Sequence, residues 1–379
     1  MVLQNFDVRK FLDEYWQQKP LVIRNAFSDP FWLEANDLAG LACEPDVESR
    51  LIMAQESEWT VKKGPFDDAE FSKLPETDWT LLVQAVDQWI PEVRDVLGAF
   101  RFLPQWRLDD IMVSYAPVGG TVSQHYDFFD VFLIQGEGTR RWQVGDVCGS
   151  HSPLVPNTPV RILEAFSPLM EVELSPGDML YIPAKHSHFG VSIENSITYS
   201  VGFRAPGIRE MVDGIATTAL ENLLEDDRYR DCAASLKAPT GAIPAAAIDQ
   251  VRLALTQALL DDQTIADWFG RYVTERKYPD LELLASSSEA WQSRLENGAC
   301  LERNAASRFA YVVTAERNQA MLYVDGHAFA VTTVLAEALC DGVDIDSKAV
   351  LEQTGEPGFA DVVSQLIESG ALLFMGDFD

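Results

Sequence analysis

Cysteine is scarce in this chain. Cys43, Cys148, Cys232, Cys300 and Cys340 are scattered, odd in number and never spaced as Cys-x-x-Cys. That pattern excludes a disulfide framework or a cysteine zinc site and suits reduced, buried thiols in a cytosolic protein. Long apolar runs are missing as well: none approaches the ~20 residues of a membrane-spanning helix. The opening Met1-Val-Leu-Gln-Asn-Phe-Asp-Val-Arg-Lys10 has no apolar core of the kind that directs export, so a cytoplasmic location is expected. Basic residues are few, 29 Lys and Arg against 59 Asp and Glu, for a net charge of −30. Such a chain repels phosphate backbones, which argues against general nucleic-acid affinity. A basic protein partner is compatible with the charge, and so is simple solubility. Repeats and low-complexity tracts are absent. The 379 residues exceed one ordinary core and predict two or three domains.

Histidine is the other scarce residue, and its placement is telling. Four of the five lie between Asp109 and Pro206. His125 and Asp127 form a His-x-Asp pair. His186 and His188 follow in Gly177-Asp-Met-Leu-Tyr-Ile-Pro183-Ala-Lys-His-Ser-His188. Residues i and i+2 of an extended strand face the same way, so His125 and Asp127 reach one spot. A distant strand brings a third ligand there if the sheet curls into a barrel. Two imidazoles and a carboxylate on one face of an octahedron are the facial triad of non-haem Fe(II) oxygenases. His186 and His188 share a parity, so periodicity does not choose between them. His151 has no partner at ligand spacing and is expected to be solvated, as is His327. The flanks predict seven short strands: 111–116, 129–135, 139–144, 169–174, 179–182, 189–193 and 197–203. Their Gly and Pro punctuation suits a sandwich or barrel.

On the strand 139–144, Arg140 shares a face with Trp142 and Val144, whereas Arg141 shares one with Gln143. An arginine on the apolar face needs a buried anion, either a barrel carboxylate or a bound carboxylate gripped by two hydrogen bonds. Ser114 shares a face with Met112 and Ala116. Read on its own, its hydroxyl is expected to bond to backbone. Asp130 could orient a ligand or contact a basic substrate.

The motif Gly177-x5-Pro183 with His188 is similar to the second cupin motif, with Lys185 where that motif usually has Gly. The run Trp106-Arg-Leu-Asp-Asp-Ile-Met-Val-Ser114, Gly119-Gly120, His125-Tyr-Asp127, Asp130-Val-Phe-Leu-Ile-Gln135 and Arg140-Arg-Trp142 resembles the bacterial JmjC ribosomal oxygenases. So do Tyr15-Trp-Gln-Gln-Lys-Pro-Leu-Val-Ile-Arg24 and Ser200-Val-Gly-Phe-Arg204-Ala-Pro206. The resemblance is close over about the first 206 residues and one of layout beyond them. It implies an α+β chain whose double-stranded β-helix catalytic domain (1–206) precedes a helical dimerisation region (207–300) and a winged-helix-like domain (301–379). It also implies Fe(II), 2-oxoglutarate and O2 as cofactors. His188 then joins His125 and Asp127 as third ligand, Arg140 binds the distal carboxylate of oxoglutarate, and Ser114 lies beside it. The best-known activity of the bacterial family is hydroxylation of an arginine in the sixteenth large-subunit protein. A basic ribosomal substrate and a homodimer are therefore expected. The alternatives are another side chain, including N-methyl-lysine, or a silent cupin-like binding protein. The chain departs from the family at Ser123-Gln124, where Gly-Pro is common, and at Phe128-Phe129.

Elsewhere, periodicity predicts helices over 7–16, 78–89, 332–339, 347–353 and 359–369, with Trp79 and Trp89 in the core. Apolar stripes also mark three helices between 211 and 273: Met211 to Leu223, Ile248 to Leu259 and Ile265 to Val273. The resemblance implies a dimerisation module here; the alternative is a layer packed on its own barrel. Residues 234–247 read as a linker. Phe309–Val313 and Ala320–Val324 read as strands joined across Arg317-Asn318, and Ala371–Phe374 as a last strand. The winged-helix-like part carries Arg303, Arg308, Arg317 and Lys348 against thirteen acidic residues, so direct DNA binding is not expected.

Overall fold

A computed structural model describes residues 2–28, 33–55, 58–316, 318–355 and 358–377. The chain forms two compact units, Met1–Ala205 and Pro206–Asp379. Among the described residues no helix is long and apolar enough to cross a membrane.

The first unit is a double-stranded β-helix. Its strands are β1 (Leu21–Ile23), β2 (Ser49–Gln55), β3 (Glu58–Lys63), β4 (Trp79–Val83), β5 (Leu108–Ala116), β6 (Asp130–Glu137), β7 (Arg140–Val147), β8 (Pro168–Leu174), β9 (Met179–Ile182), β10 (His186–Ser192) and β11 (Ser196–Phe203). Eight of them form one antiparallel sheet in the order β1-β9-β6-β11-β5-β4-β2-β3. A smaller sheet, β10-β7-β8, faces it.

Alternation sorts the side chains. Phe132 and Ile134, Tyr181, and Tyr199, Val201 and Phe203 pack outward on the short helices α1 (Val8–Glu14), α2 (Ala35–Leu41), α3 (Asp68–Phe71) and α4 (Pro91–Arg94) and the segments around them. Leu133, Trp142, Val144, Leu174, Leu180 and Ile182 point inward and form the core between the sheets. Strands covered on both faces read as continuous apolar runs, as in β9, where all four residues are buried.

That double burial explains the one false helix. Residues 78–89 are not helical: Trp79–Val83 is β4, paired to β2 and β5, and only Val86–Gln88 makes a 3-10 turn. With four of five β4 residues buried, no alternation marks the strand. Trp79 and Trp89 are half-buried and flank the core. The cysteines also differ from expectation. None is buried, because they stand at element ends or in loops, where packing is incomplete.

The second unit opens with α5 (Ile208–Asn222), α6 (Ala245–Leu259) and α7 (Asp262–Thr274). α7 lies on a three-stranded sheet of β13 (Phe309–Val313), β14 (Gln319–Val324) and β15 (His327–Thr332). Gly270 meets the Tyr323 ring so closely that a Cβ would fall 2.3 Å from it. Behind the sheet, α8 (Trp291–Glu296), α9 (Thr333–Cys340), α10 (Ser347–Glu352), α11 (Phe359–Glu368) and the ribbon of β12 (Leu301–Arg303) with β16 (Leu372–Phe374) enclose one core. Of the expected turn Arg317-Asn318, Arg317 lies outside the described residues.

Candidate metal centre and cosubstrate pocket

His125 and His188 are cross-strand neighbours. Each donates its backbone N–H to the other's carbonyl, at 3.0 and 2.8 Å, which brings the two imidazoles to a centroid distance of 4.3 Å. Asp127, two residues on from His125, shares its side. Asp127 Oδ2 lies 3.6 Å from His125 Nε2 and 3.6 Å from His188 Nε2. The ligand atoms of the three residues fall within 4.8 Å of one another, a set that could hold one metal ion.

His186 is not in this cluster. The β10–β7 ladder shifts register between His186 and His188, so the parity that makes the two equivalent in sequence is broken. His151 and His327 are exposed, as expected.

The tautomers suit a metal. Nδ1 of His125 lies 2.9 Å from the Ser123 carbonyl and Nδ1 of His188 lies 3.0 Å from that of His186. A carbonyl only accepts, so both Nδ1 atoms carry the proton and both Nε2 lone pairs face Asp127. Burial and the adjacent His125 imidazole hold the His188 pKa down to about 4. It is therefore neutral, the ligand form, throughout the physiological range. The Asp127 side chain is half-exposed while that of His188 is buried, so the cluster lies at the border of the barrel interior and its surface.

Deeper in the barrel lies Arg140, buried on the inner face as its parity predicts, while Arg141 is exposed and pairs with Glu173 at 3.1 Å. Arg140 Nη1 donates to Ser114 Oγ at 3.1 Å and to Thr198 Oγ1 at 3.4 Å. Among the described residues no carboxylate pairs with Arg140, and its Nε is buried with no partner. The internal salt bridge allowed by the sequence is thus absent. Burial pulls the guanidinium pKa down to about 10, so it keeps its charge and awaits an anion. A dicarboxylate with one end on the metal fits that need. Ser114 accepts from Arg140 and donates to the Thr198 carbonyl at 3.4 Å, so its expected bond to backbone is present and its hydroxyl stands beside the guanidinium. Trp142 stands between the two halves, 5.3 Å from the Arg140 guanidinium and 6.2 Å from the His188 ring. It fits because Gly190 opposite has no Cβ, which would fall 2.6 Å from the indole.

Thr198 and Gln135 escape the sequence reading. Thr198 donates to Gln135 Oε1 at 3.1 Å, and both are buried beside Arg140. The ladder puts Thr198 opposite both Ser114 and Gln135. The signal is the i, i+2 hydroxyl series Ser196, Thr198, Ser200 on an otherwise apolar strand.

Two departures from the family motif share a backbone feature. Ser123 has φ +70° and Lys185 φ +69°, in the left-handed region where glycine is favoured. Each precedes a histidine ligand candidate, and the Lys185 N–H donates to the Asp127 carbonyl at 2.6 Å. Lys185→Gly is expected to raise stability by about 1 kcal/mol, measured as the urea midpoint. Equal or lower stability would show that the exposed lysine side chain supports the turn.

Comparison with known proteins agrees with this geometry. The JmjC domain family matches residues 95–211, and the ROXA-like winged helix family matches residues 254–373. A ribosomal protein uL16 3-hydroxylase of Escherichia coli is 37% identical over 271 residues, 71% of either chain. A probable ribosomal oxygenase of Haemophilus influenzae is 46% identical over 209 residues, 54% of this chain and 52% of that one. The X-ray structure of E. coli YcfD superposes with a TM-score of 0.87 at 30% identity, covering 99% of this chain and 100% of the other. The structure of YcfD, a ribosomal oxygenase, in complex with cobalt and 2-oxoglutarate gives 0.85 at 30% identity over 99% of each. The chain belongs to the JmjC ribosomal oxygenases and is an iron- and 2-oxoglutarate-dependent dioxygenase.

Proposed function

We propose that this chain hydroxylates an arginine of the large-subunit ribosomal protein uL16, in the cytoplasm, with His125, Asp127 and His188 holding the iron. The observation that carries the substrate is the E. coli uL16 3-hydroxylase, alike over 71% of both chains. With iron bound, the chemistry supplied is conversion of 2-oxoglutarate and O2 to succinate and CO2, with one oxygen atom entering a substrate C–H bond.

The chain's own residues bind and orient. Arg140, with Ser114 and Thr198 bracing it, takes the distal carboxylate, which places the keto-acid end at the triad. Leu133, Leu180 and Ile182 between the sheets keep water from the buried side of that pocket. At the rim, Phe128 and Phe129 follow Asp127 and are exposed. An arginine's apolar stem and planar guanidinium pack well on such rings. The chain offers its own example, Arg161, whose guanidinium lies 5.3 Å from the Tyr126 ring and 5.9 Å from that of Phe128. The acidic excess favours approach of a basic ribosomal protein.

The test incubates purified protein with Fe(II), 2-oxoglutarate and recombinant uL16 and locates modification by tandem mass spectrometry. One added oxygen on an arginine, matched by succinate, is expected. Oxygen on another residue, or only on another ribosomal protein, would replace the target.

The reading extends to residues 207–300 as a homodimerisation region. Ile208, Val212 and Leu220 of α5 are exposed, and α6 buries no residue within the chain despite its apolar stripe. Light scattering is expected to give the mass of a dimer. A monomer at micromolar concentration would contradict it.

A further inference from the structure

Asp130 is fully buried at the start of β6, so it cannot touch a substrate. Its carboxylate is nonetheless the centre of a network. Oδ1 accepts from Tyr181 Oη at 2.7 Å and from the Ala184 N–H at 3.4 Å. Oδ2 accepts from Arg107 Nη2 at 3.0 Å and from Gln17 Nε2 at 3.1 Å. The partners are themselves fixed. Arg107 Nε donates to the Arg204 carbonyl at 2.9 Å, and its guanidinium lies 5.2 Å from the Trp16 ring. Tyr181 Oη accepts from the Gln17 N–H at 2.8 Å.

The position of this hub is what matters. Asp127 lies three residues before Asp130, and the residues between, Phe128 and Phe129, are exposed, Phe128 meeting only the Tyr126 ring and Arg161 among the ring contacts of the described residues. Ala184 lies four residues before His188. One carboxylate therefore holds the chain on both sides of the triad, and the Lys185 N–H to the Asp127 carbonyl, 2.6 Å, closes the loop between them. The Asp127 carboxylate lacks such support: among the described residues it pairs only with the two imidazoles. Its place therefore depends on its backbone, which lies between the Asp130 network and the Lys185 N–H.

We propose that Asp130 is a positioning residue that fixes Asp127 relative to His188, an inference that rests on the reading of His125, Asp127 and His188 as metal ligands. A charge is needed because four donors converge on two oxygens. An amide in its place turns an N–H toward one pair of donors and leaves Arg107 without its counter-charge.

The test is Co(II) titration of Asp130→Asn at a temperature well below its unfolding midpoint, with the Co(II) d–d spectrum recorded. About tenfold weaker Co(II) binding is expected, in the range for residues that orient ligands from behind, together with altered band positions. Succinate should form in excess over hydroxylated product. A merely structural role lowers the midpoint but leaves the folded protein's affinity and spectrum alone, so wild-type values for both would overturn the proposal. Tyr181→Phe removes one donor and keeps the Arg107 pair, so it decides the matter if Asp130→Asn does not fold. A measurably weaker affinity with a shifted spectrum supports positioning; wild-type behaviour overturns it. His125→Ala separates the two readings. If it retains wild-type Co(II) binding, the ligand assignment fails; if it loses Co(II) while Asp130→Asn and Tyr181→Phe bind normally, only the role of Asp130 fails.

Discussion

Replacing His188 or His125 by alanine is expected to reduce succinate formation to the level of metal-free protein while leaving the fold intact. On the proposed assignment each histidine supplies one of three ligand atoms, and two remaining donors on a half-exposed rim do not retain iron against water. The structural cost is modest, since each side chain gives up a single hydrogen bond to a carbonyl, on the order of 1 kcal/mol. The readouts are succinate yield and circular dichroism on the same sample. Succinate formed at the wild-type rate by both variants would exclude this metal site. His188 also has a pH signature. Its imidazole is held at about 4 in the folded chain, against an ordinary value near 6.5. The unfolded chain thus binds more protons between those values. The metal-free protein gains full benefit from the neutral imidazole above 6.5 and loses it as pH falls toward 4, and His188→Ala should remove that part of the slope.

Arg140→Ala is expected to raise the KM for 2-oxoglutarate by roughly ten- to a hundredfold, the worth of hydrogen bonds from a charged donor at 1.5–3 kcal/mol. Metal affinity without cosubstrate should hardly change, because Arg140 touches Ser114 and Thr198 and no member of the triad. Arg140→Lys should recover only part of the loss, since an ammonium does not present the two-pronged donor face. The experiment is a 2-oxoglutarate titration of succinate formation at saturating Fe(II). An unchanged KM in Arg140→Ala would move the carboxylate site elsewhere in the barrel.

Much of this site is legible in sequence because strands obey a period of two. Parity alone places Arg140 inward and Arg141 outward, and joins His125 to Asp127. β9 is read to the residue because the Gly177-Asp178 turn and Pro183 bound it. What parity does not supply is register. The choice between His186 and His188 depends on a ladder shift set by tertiary pairing. Thr198 and Gln135 meet Arg140 only through the β11 pairings. β4 is lost because burial on both faces erases alternation. For β15 the sequence signal is the Asp325-Gly326 dipeptide, with φ values of +50° and +81°, between two apolar runs. Sequence alone leaves Asp130 open because a buried hub and a substrate contact look alike until exposure is known.

Intact-mass analysis of ribosomal proteins from cells with and without this protein tests the central claim most directly. uL16 lighter by one oxygen atom in the deletion, with every other ribosomal protein unchanged, is the predicted result. Identical masses for all ribosomal proteins in the two strains would contradict ribosomal hydroxylation by this chain.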